Sequence, residues 1–203
     1  MKRLMLVRHG ETDWNADRRL QGHADILLSE RGRAQAQALR PTIAALAPDR
    51  VLTSSLLRAR DTAALLGYPE AEPRDELREI DVGDWTGELT RDLIERDEVA
   101  YRGWRAGSYT PPGGETWHDF KRRALGLVQQ VLAGPQTRIL LVAHSGILRA
   151  VLEALLALAP HRIVSVGPGS LTIVQHALAG GRDATKLEVF NFSPGGPILD
   201  APY

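Results

Sequence analysis

The 203-residue chain contains no cysteine. That excludes disulfides, thiolate zinc sites, iron–sulfur clusters and cysteine nucleophiles, and it fits a reducing compartment, so the expected location is the cytoplasm. Net charge is missing too: 25 Lys and Arg balance 25 Asp and Glu. Bulk attraction to nucleic acid or an anionic membrane is therefore not expected. Long apolar runs are absent. The opening Met1-Lys2-Arg3 is basic and Leu4–Val7 apolar, in the manner of a signal peptide, but the run is too short for one. No stretch approaches the roughly 18 apolar residues of a membrane helix. Several catalytic signatures are also lacking. No two of the six histidines (His9, His23, His118, His144, His161, His176) stand at i,i+4, and no H-E-x-x-H occurs, so no metal site is expected. Gly180-Gly181-Arg182-Asp183-Ala184-Thr185-Lys186 lacks the G-K-[ST] of a P-loop, no G-x-G-x-x-G is present, and Ser145 is not framed as G-x-S-x-G.

What is present is ordinary globular composition, 43% hydrophobic and 25% charged. At roughly 150 residues per domain, residues 1–203 are expected to form one domain. A chain of this size buries roughly 70% of its unfolded surface. Leu4–Val7 reads as a buried strand, as do Val51–Thr53 and Arg138–Ala143, whose Ile139-Leu140-Leu141-Val142 is the clearest strand signal in the chain. Helices are expected over 30–47, with Pro41 ending or kinking the first of them, and over 56–66, 90–105, 117–132 and 147–158. Ser54 and Ser55 are candidate N-caps for 56–66, with Gly67 at its C-terminal end. Thr116 with Asp119 resembles a capping box. Residues 68–88 read as mostly loop and 107–114 as loop. Leu171–His176 and Leu187–Phe192 look like an antiparallel pair joined through Gly180-Gly181. Alternating strand and helix imply an α/β three-layer sandwich: a mostly parallel central sheet with an antiparallel C-terminal strand pair.

In such sheets ligands bind beyond the carboxyl ends of the strands. Three junctions then matter: Arg8-His9-Gly10, Ser54 to Arg58, and His144-Ser145-Gly146. Arg8 and Arg58 offer planar, permanently charged forks suited to phosphate or carboxylate. His9 and His144 can act as nucleophile, acid, base or donor. Gly10 and Gly146 permit close backbone approach, and Ser145 opens a helix whose free N–H groups favour an anion. Taken singly, each histidine also reads as a satisfied structural residue and Arg58 as a solvated helix residue. Together they suggest an oxyanion site.

The residues carry a resemblance. Arg8-His9-Gly10-Glu11-Thr12-Asp13-Trp14-Asn15 resembles the opening motif of the histidine phosphatase superfamily, phosphoglycerate mutase-like branch. Leu20-Gln21-Gly22-His23-Ala24-Asp25 with Leu28–Gly32, Ser54–Ala63, Leu77–Gly87, Gly114-Glu115-Thr116 and Val142–Gly146 resemble its later segments in order, over residues 1 to about 155. The resemblance implies a phosphoglycerate mutase-like fold with His9 as the nucleophile that becomes phosphohistidine. It implies that Arg8, Arg58, Asn15 and His144 clamp the phosphoryl oxygens, joined by Gln21, Gly22 and Ser145. Glu79 would be the general acid; without the resemblance it is one loop carboxylate among Asp75, Glu76, Asp81, Asp84 and Glu88.

Phosphoryl transfer needs equatorial charge stabilisation and in-line attack, so His9 must be neutral at its attacking nitrogen, its other nitrogen held by a backbone carbonyl near Gly10. Glu79 should be protonated when substrate binds and should later activate water. No cofactor or metal is implied. Glu79-Ile80-Asp81-Val82-Gly83-Asp84-Trp85 resembles the superfamily's phosphatases; its mutases are longer after the acid and usually show an Arg-His-Tyr-Gly-like segment there. The expected activity is thus hydrolysis of a small phosphorylated metabolite. A cofactor-dependent phosphoglycerate mutase is the first alternative, a non-catalytic phospho-ligand-binding protein the second. A homodimer is left open. Residues 101–114 are equally readable as a lid over the site and as a solvated helix and loop.

Overall fold

The computed structural model describes residues 1–179 and 182–196. Its centre is a six-stranded sheet. Strands β1 (Lys2–Arg8), β2 (Arg50–Ser54), β3 (Glu72–Arg74) and β4 (Arg138–Ala143) are mutually parallel, in the order β3-β2-β4-β1. β5 (Leu171–His176) pairs antiparallel with β1, and β6 (Lys186–Phe192) antiparallel with β5. The expected turn at Gly180-Gly181 lies outside the described residues.

Period-two alternation divides the sheet's side chains between two cores. Leu4 and Leu6 of β1, with Leu52, Ile139 and Leu141, face Phe120, Leu127 and Val131 of α5 (Trp117–Ala133) and Ile147, Leu148 and Val151 of α6 (Ser145–Leu156). Met5 and Val7, with Leu140 and Val142, face Leu39 and Ile43 of α2 (Glu30–Leu46) and Ala59 and Ala63 of α3 (Leu57–Leu65). Helices therefore cover both faces, which is why β1 and β4 read as unbroken apolar runs. Two further helices are α1 (Asp13–Ala16) and α4 (Thr90–Ala106). α4 is interrupted at Asp97 (φ −158°, ψ 85°), whose Oδ1 accepts from Ala100 N at 2.9 Å and restarts the helix.

Three local expectations need correction. Pro41 does not end α2, which continues to Leu46 and stops at a left-handed Ala47 (φ 46°). Pro41 is exposed, so the carbonyl it leaves unpaired faces water. Ser54 and Ser55 do not cap α3. The N-cap is Leu56, and the helix's first N–H, that of Leu57, donates at 2.7 Å to Oδ1 of Asp25, in the loop before α2. The Thr116 cap is one-sided. Its Oγ1 accepts from Asp119 N (3.0 Å) and donates to Asp119 Oδ2 (2.7 Å), a contact that occupies the shorter Asp side chain and leaves no return bond to the Thr116 N–H. A reciprocal capping box occurs instead at Thr12 and Asn15.

Candidate active site

The parallel registers assemble the site. Arg8 of β1 lies opposite Ala143 of β4, and Val142 of β4 opposite Thr53 of β2. The next residues of the three strands, His9, His144 and Ser54, therefore emerge together at the carboxyl edge. His9 N still donates to Ala143 O (2.9 Å), after which the chain turns at Gly10. A Cβ on Gly10 would lie 2.3 Å from Gly32 O, so no other residue fits that crossing of two backbones. Gly10 N donates to Thr62 Oγ1 (3.0 Å), tying the turn to α3.

His9 is 3% exposed and its Nδ1 lies 2.7 Å from Gly10 O. A carbonyl can only accept, so Nδ1 carries the proton and Nε2 keeps its lone pair. Burial, then the Arg58 and Arg8 guanidiniums, hold its pKa well below 6.5, against the opposing pull of the Gly10 carbonyl. His144 is the extended N-cap of α6 and fully buried. Its ring centroid is 5.1 Å from that of His9, and its Nε2 lies 2.8 Å from Ser54 Oγ. Burial, then Arg58, His9, Arg8 and Arg123, also hold its pKa well below 6.5. Arg58 sits in the first turn of α3, fully buried. It donates through Nη1 to Ala24 O (2.7 Å) and through Nη2 to Gly22 O (2.9 Å). Burial lowers its pKa to about 10, Glu79 and Asp25 opposing and Arg8 adding, so it stays charged at neutral pH. Arg8 donates to Val166 O (2.6 Å).

Glu79 comes from the irregular stretch between two 3-10 turns, Asp75–Leu77 and Gly83–Trp85. Its Oε2 accepts from Gly146 N (3.1 Å) at the start of α6 and its Oε1 from Ile80 N (2.9 Å). A Cβ on Gly146 would fall 2.1 Å from Glu79 Oε1, so this glycine leaves the seat in which the carboxylate rests.

One cleft is lined by Arg8, His9, Asn15, Gln21, Gly22, Arg58 and Glu79, with Leu20, Ile80 and Val82 as an apolar wall. The structure thus brings together seven of the expected residues there. His144 and Ser145 are buried beside it and do not line it. Ser145 Oγ, His144 Nδ1 and Arg58 Nε are buried without a hydrogen-bond partner, an accumulation of uncompensated polar groups beside the cleft. Asn15 Oδ1 accepts from Thr12 N (3.1 Å) and Oγ1 (3.0 Å), which fixes its amide plane. None of residues 101–114 lines the cleft. Trp104 packs edge-on and Tyr109 stacks on Trp85, and Pro112 O accepts from Asp84 N (2.9 Å), so this segment braces the 83–85 turn. Sequence reasoning missed Ser54 as the partner of His144 and the apolar wall; only their places after a strand or beside a glycine-rich turn could have signalled them. Among the described residues, no group of three His, Asp or Glu is arranged to hold a metal, and no helix is long and apolar enough to cross a membrane.

An α/β sandwich with two neutral histidines and two buried arginines at its carboxyl edge defines a phosphoryl-handling protein. The family model described as histidine phosphatase superfamily (branch 1) matches residues 4–188, and the chain belongs to that superfamily. A glucosyl-3-phosphoglycerate phosphatase of Mycolicibacterium vanbaalenii is 36% identical over 170 residues, 78% of this chain and 76% of the relative. An adenosylcobalamin/alpha-ribazole phosphatase of Salmonella typhimurium is 36% identical over 162 residues, 77% of this chain and 80% of the relative. The solved mycobacterial glucosyl-3-phosphoglycerate phosphatase complexed with VO3 superposes with a TM-score of 0.84 at 33% identity, over 94% of this chain and 99% of the other. The chain is accordingly a phosphatase of this superfamily.

Proposed function

We propose that the protein hydrolyses the phosphomonoester of a small metabolite through a phosphohistidine on His9, without a metal ion. The observation that carries this reading is the Nδ1–H tautomer of His9, set by Gly10 O at 2.7 Å beside two buried guanidiniums. A neutral imidazole with a lone pair on Nε2 among cations is a nucleophile awaiting an anionic electrophile.

In the first step Nε2 attacks phosphorus and the P–O ester bond breaks. Glu79 gives its proton to the departing alkoxide oxygen. Arg8, Arg58, Asn15, His144 and the Ser145 N–H, with Gln21 and Gly22 at the rim, stabilise charge on the three equatorial oxygens. In the second step the Glu79 carboxylate takes a proton from water, the water oxygen attacks phosphorus and the P–N bond breaks. Phosphate leaves, Glu79 is protonated again and His9 is neutral again. The two relatives' names specify different phosphate esters, so the alcohol partner is proposed only as a metabolite small enough for the Leu20–Ile80–Val82 wall. The balanced charge supports a small-molecule partner over nucleic acid, and the lack of cysteine supports the cytoplasm.

The test is p-nitrophenyl phosphate turnover in EDTA, then a panel of phosphorylated metabolites. Wild type should turn over and His9→Ala should not. Activity that survives His9→Ala overturns the mechanism. Rapid 2-phosphoglycerate formation from 3-phosphoglycerate with 2,3-bisphosphoglycerate would replace hydrolysis by mutase chemistry, and no turnover across the panel would favour a binding protein.

A further inference from the structure

The stretch that delivers Glu79 has no strand or α-helix of its own between Asp75 and Trp85. Carbonyls that no local turn satisfies need donors from elsewhere. One side chain supplies three of them. Arg123, in the second turn of α5, donates through Nη1 to Glu76 O and Arg78 O (2.9 Å each) and through Nη2 to Glu79 O (2.8 Å). Its remaining N–H groups form a fork on Glu115, Nε to Oε1 at 2.7 Å and Nη2 to Oε2 at 2.8 Å. All five guanidinium N–H groups therefore meet an acceptor within 2.9 Å. Glu115 in turn holds the far side of Glu79: its N–H donates to Asp81 O (2.9 Å) and its Oε2 accepts from Asp81 N (3.4 Å). The guanidinium lies over the Phe120 ring (4.8 Å to the centroid), and Phe120 borders the Gly146 seat of the Glu79 carboxylate. The carbonyl of Glu79 is thus held from α5 and its carboxylate from α6, two helices packed on each other.

We propose that Arg123, locked by Glu115, is the positioning residue of the general acid: it fixes the backbone on both sides of Glu79 so that the carboxyl group stands at the cleft. The proposal rests on the role given to Glu79 above. Arg123 does not line the cleft, so it acts on the acid by position; its charge is also felt at His144, and Arg123→Lys keeps that charge while losing the fork. Lysine cannot replace it, because one ammonium presents three donors from a single point where the loop needs a planar fork reaching three carbonyls and a carboxylate. His23 Nε2, 2.8 Å from Glu79 O, supplies a second hold on the same carbonyl, so loss of Arg123 loosens the acid without removing it.

The signature is a dependence on the leaving group. An aryl ester such as p-nitrophenyl phosphate departs as a stable anion and needs little protonation; an alkyl ester needs the proton of Glu79. Arg123→Ala and Arg123→Lys are compared with wild type by kcat/KM on p-nitrophenyl phosphate and on glycerol 3-phosphate, with thermal melts alongside. General acid catalysis is worth about 10²–10⁴-fold, and partial misplacement should cost part of it. The expected result is a fall of about 10- to 100-fold on the alkyl ester and less than about 5-fold on the aryl ester, for both variants. In a Glu79→Gln background Arg123→Lys should add no further loss. If Arg123→Ala does not fold, Arg123→Lys carries the same comparison. Equal losses on the two esters, full additivity with Glu79→Gln, or no loss in a folded variant each overturn the proposal. A wild type that turns over neither ester overturns the phosphatase reading, and the positioning role with it.

Discussion

Gly146→Ala should separate catalysis from stability. The new methyl would lie 2.1 Å from Glu79 Oε1, 3.1 Å from Glu79 Cδ and 3.1 Å from Phe120 Cζ. Ordinary contact begins near 3.4 Å, so the carboxylate must retreat by about 1.3 Å, while the ring must yield by only a few tenths. The atom in the way is the end of a flexible side chain, and moving it abandons the 3.1 Å bond from Gly146 N. A misplacement of about 1 Å in a catalytic group costs about 10²-fold. The expected loss is therefore about 100-fold in kcat/KM for an alkyl phosphate, and clearly less for p-nitrophenyl phosphate. Stability should change little. Alanine gains about 0.5–1 kcal/mol over glycine within a helix, offset by the Phe120 contact, so net change should stay within about 1 kcal/mol by chemical denaturation. A folded Gly146→Ala enzyme with wild-type alkyl phosphatase activity would refute both the seat assigned to Glu79 and its role as acid.

Three further outcomes follow from the same geometry. His9 and His144 are held well below 6.5 in the folded chain, so the unfolded chain binds protons that the folded one does not. Folding stability should then fall as pH drops below about 6.5, by up to about 1.4 kcal/mol per pH unit for each histidine, and His144→Gln should roughly halve that slope. Urea titrations between pH 7 and 5 measure it, and a flat profile would contradict the buried neutral pair. Arg58→Lys abolishes the fork on Gly22 O and Ala24 O along with the bidentate charge, and should lower kcat/KM by about 10²–10³-fold on any phosphomonoester; steady-state kinetics with a loss under about 3-fold would count against a phosphate role. Asp25→Ala removes the cap on α3 and should cost about 1 kcal/mol, a melting shift of about 2–4 °C, read by circular dichroism.

The strands were legible because Leu4–Val7 and Ile139–Val142 are apolar on both faces, which only a sheet covered by helices on each side requires. The residues at their ends were legible for the same reason, since chemistry follows where hydrophobicity stops. Glu79 was not visible to physics alone. Seven other carboxylates stand within ten residues of it, and what distinguishes it is a contact with Gly146, 67 residues away. The α3 cap was misassigned because two serines occupy the usual place, whereas a tertiary contact put Asp25 there, 32 residues upstream. Pro41 misled because its penalty depends on which face of the helix carries it. Arg123 is one of two adjacent arginines in α5, and only the fold shows that three of its donors converge on the acid's loop and two on the Glu115 that braces it.

The most direct test of the mechanism is to trap the intermediate. Wild-type protein mixed with a ³²P-labelled phosphomonoester and quenched in alkali should carry label that survives base and is lost in acid, on the peptide containing His9. His9→Ala should carry none. An enzyme that turns over substrate yet yields no such label, or yields it on another residue, would contradict nucleophilic catalysis by His9.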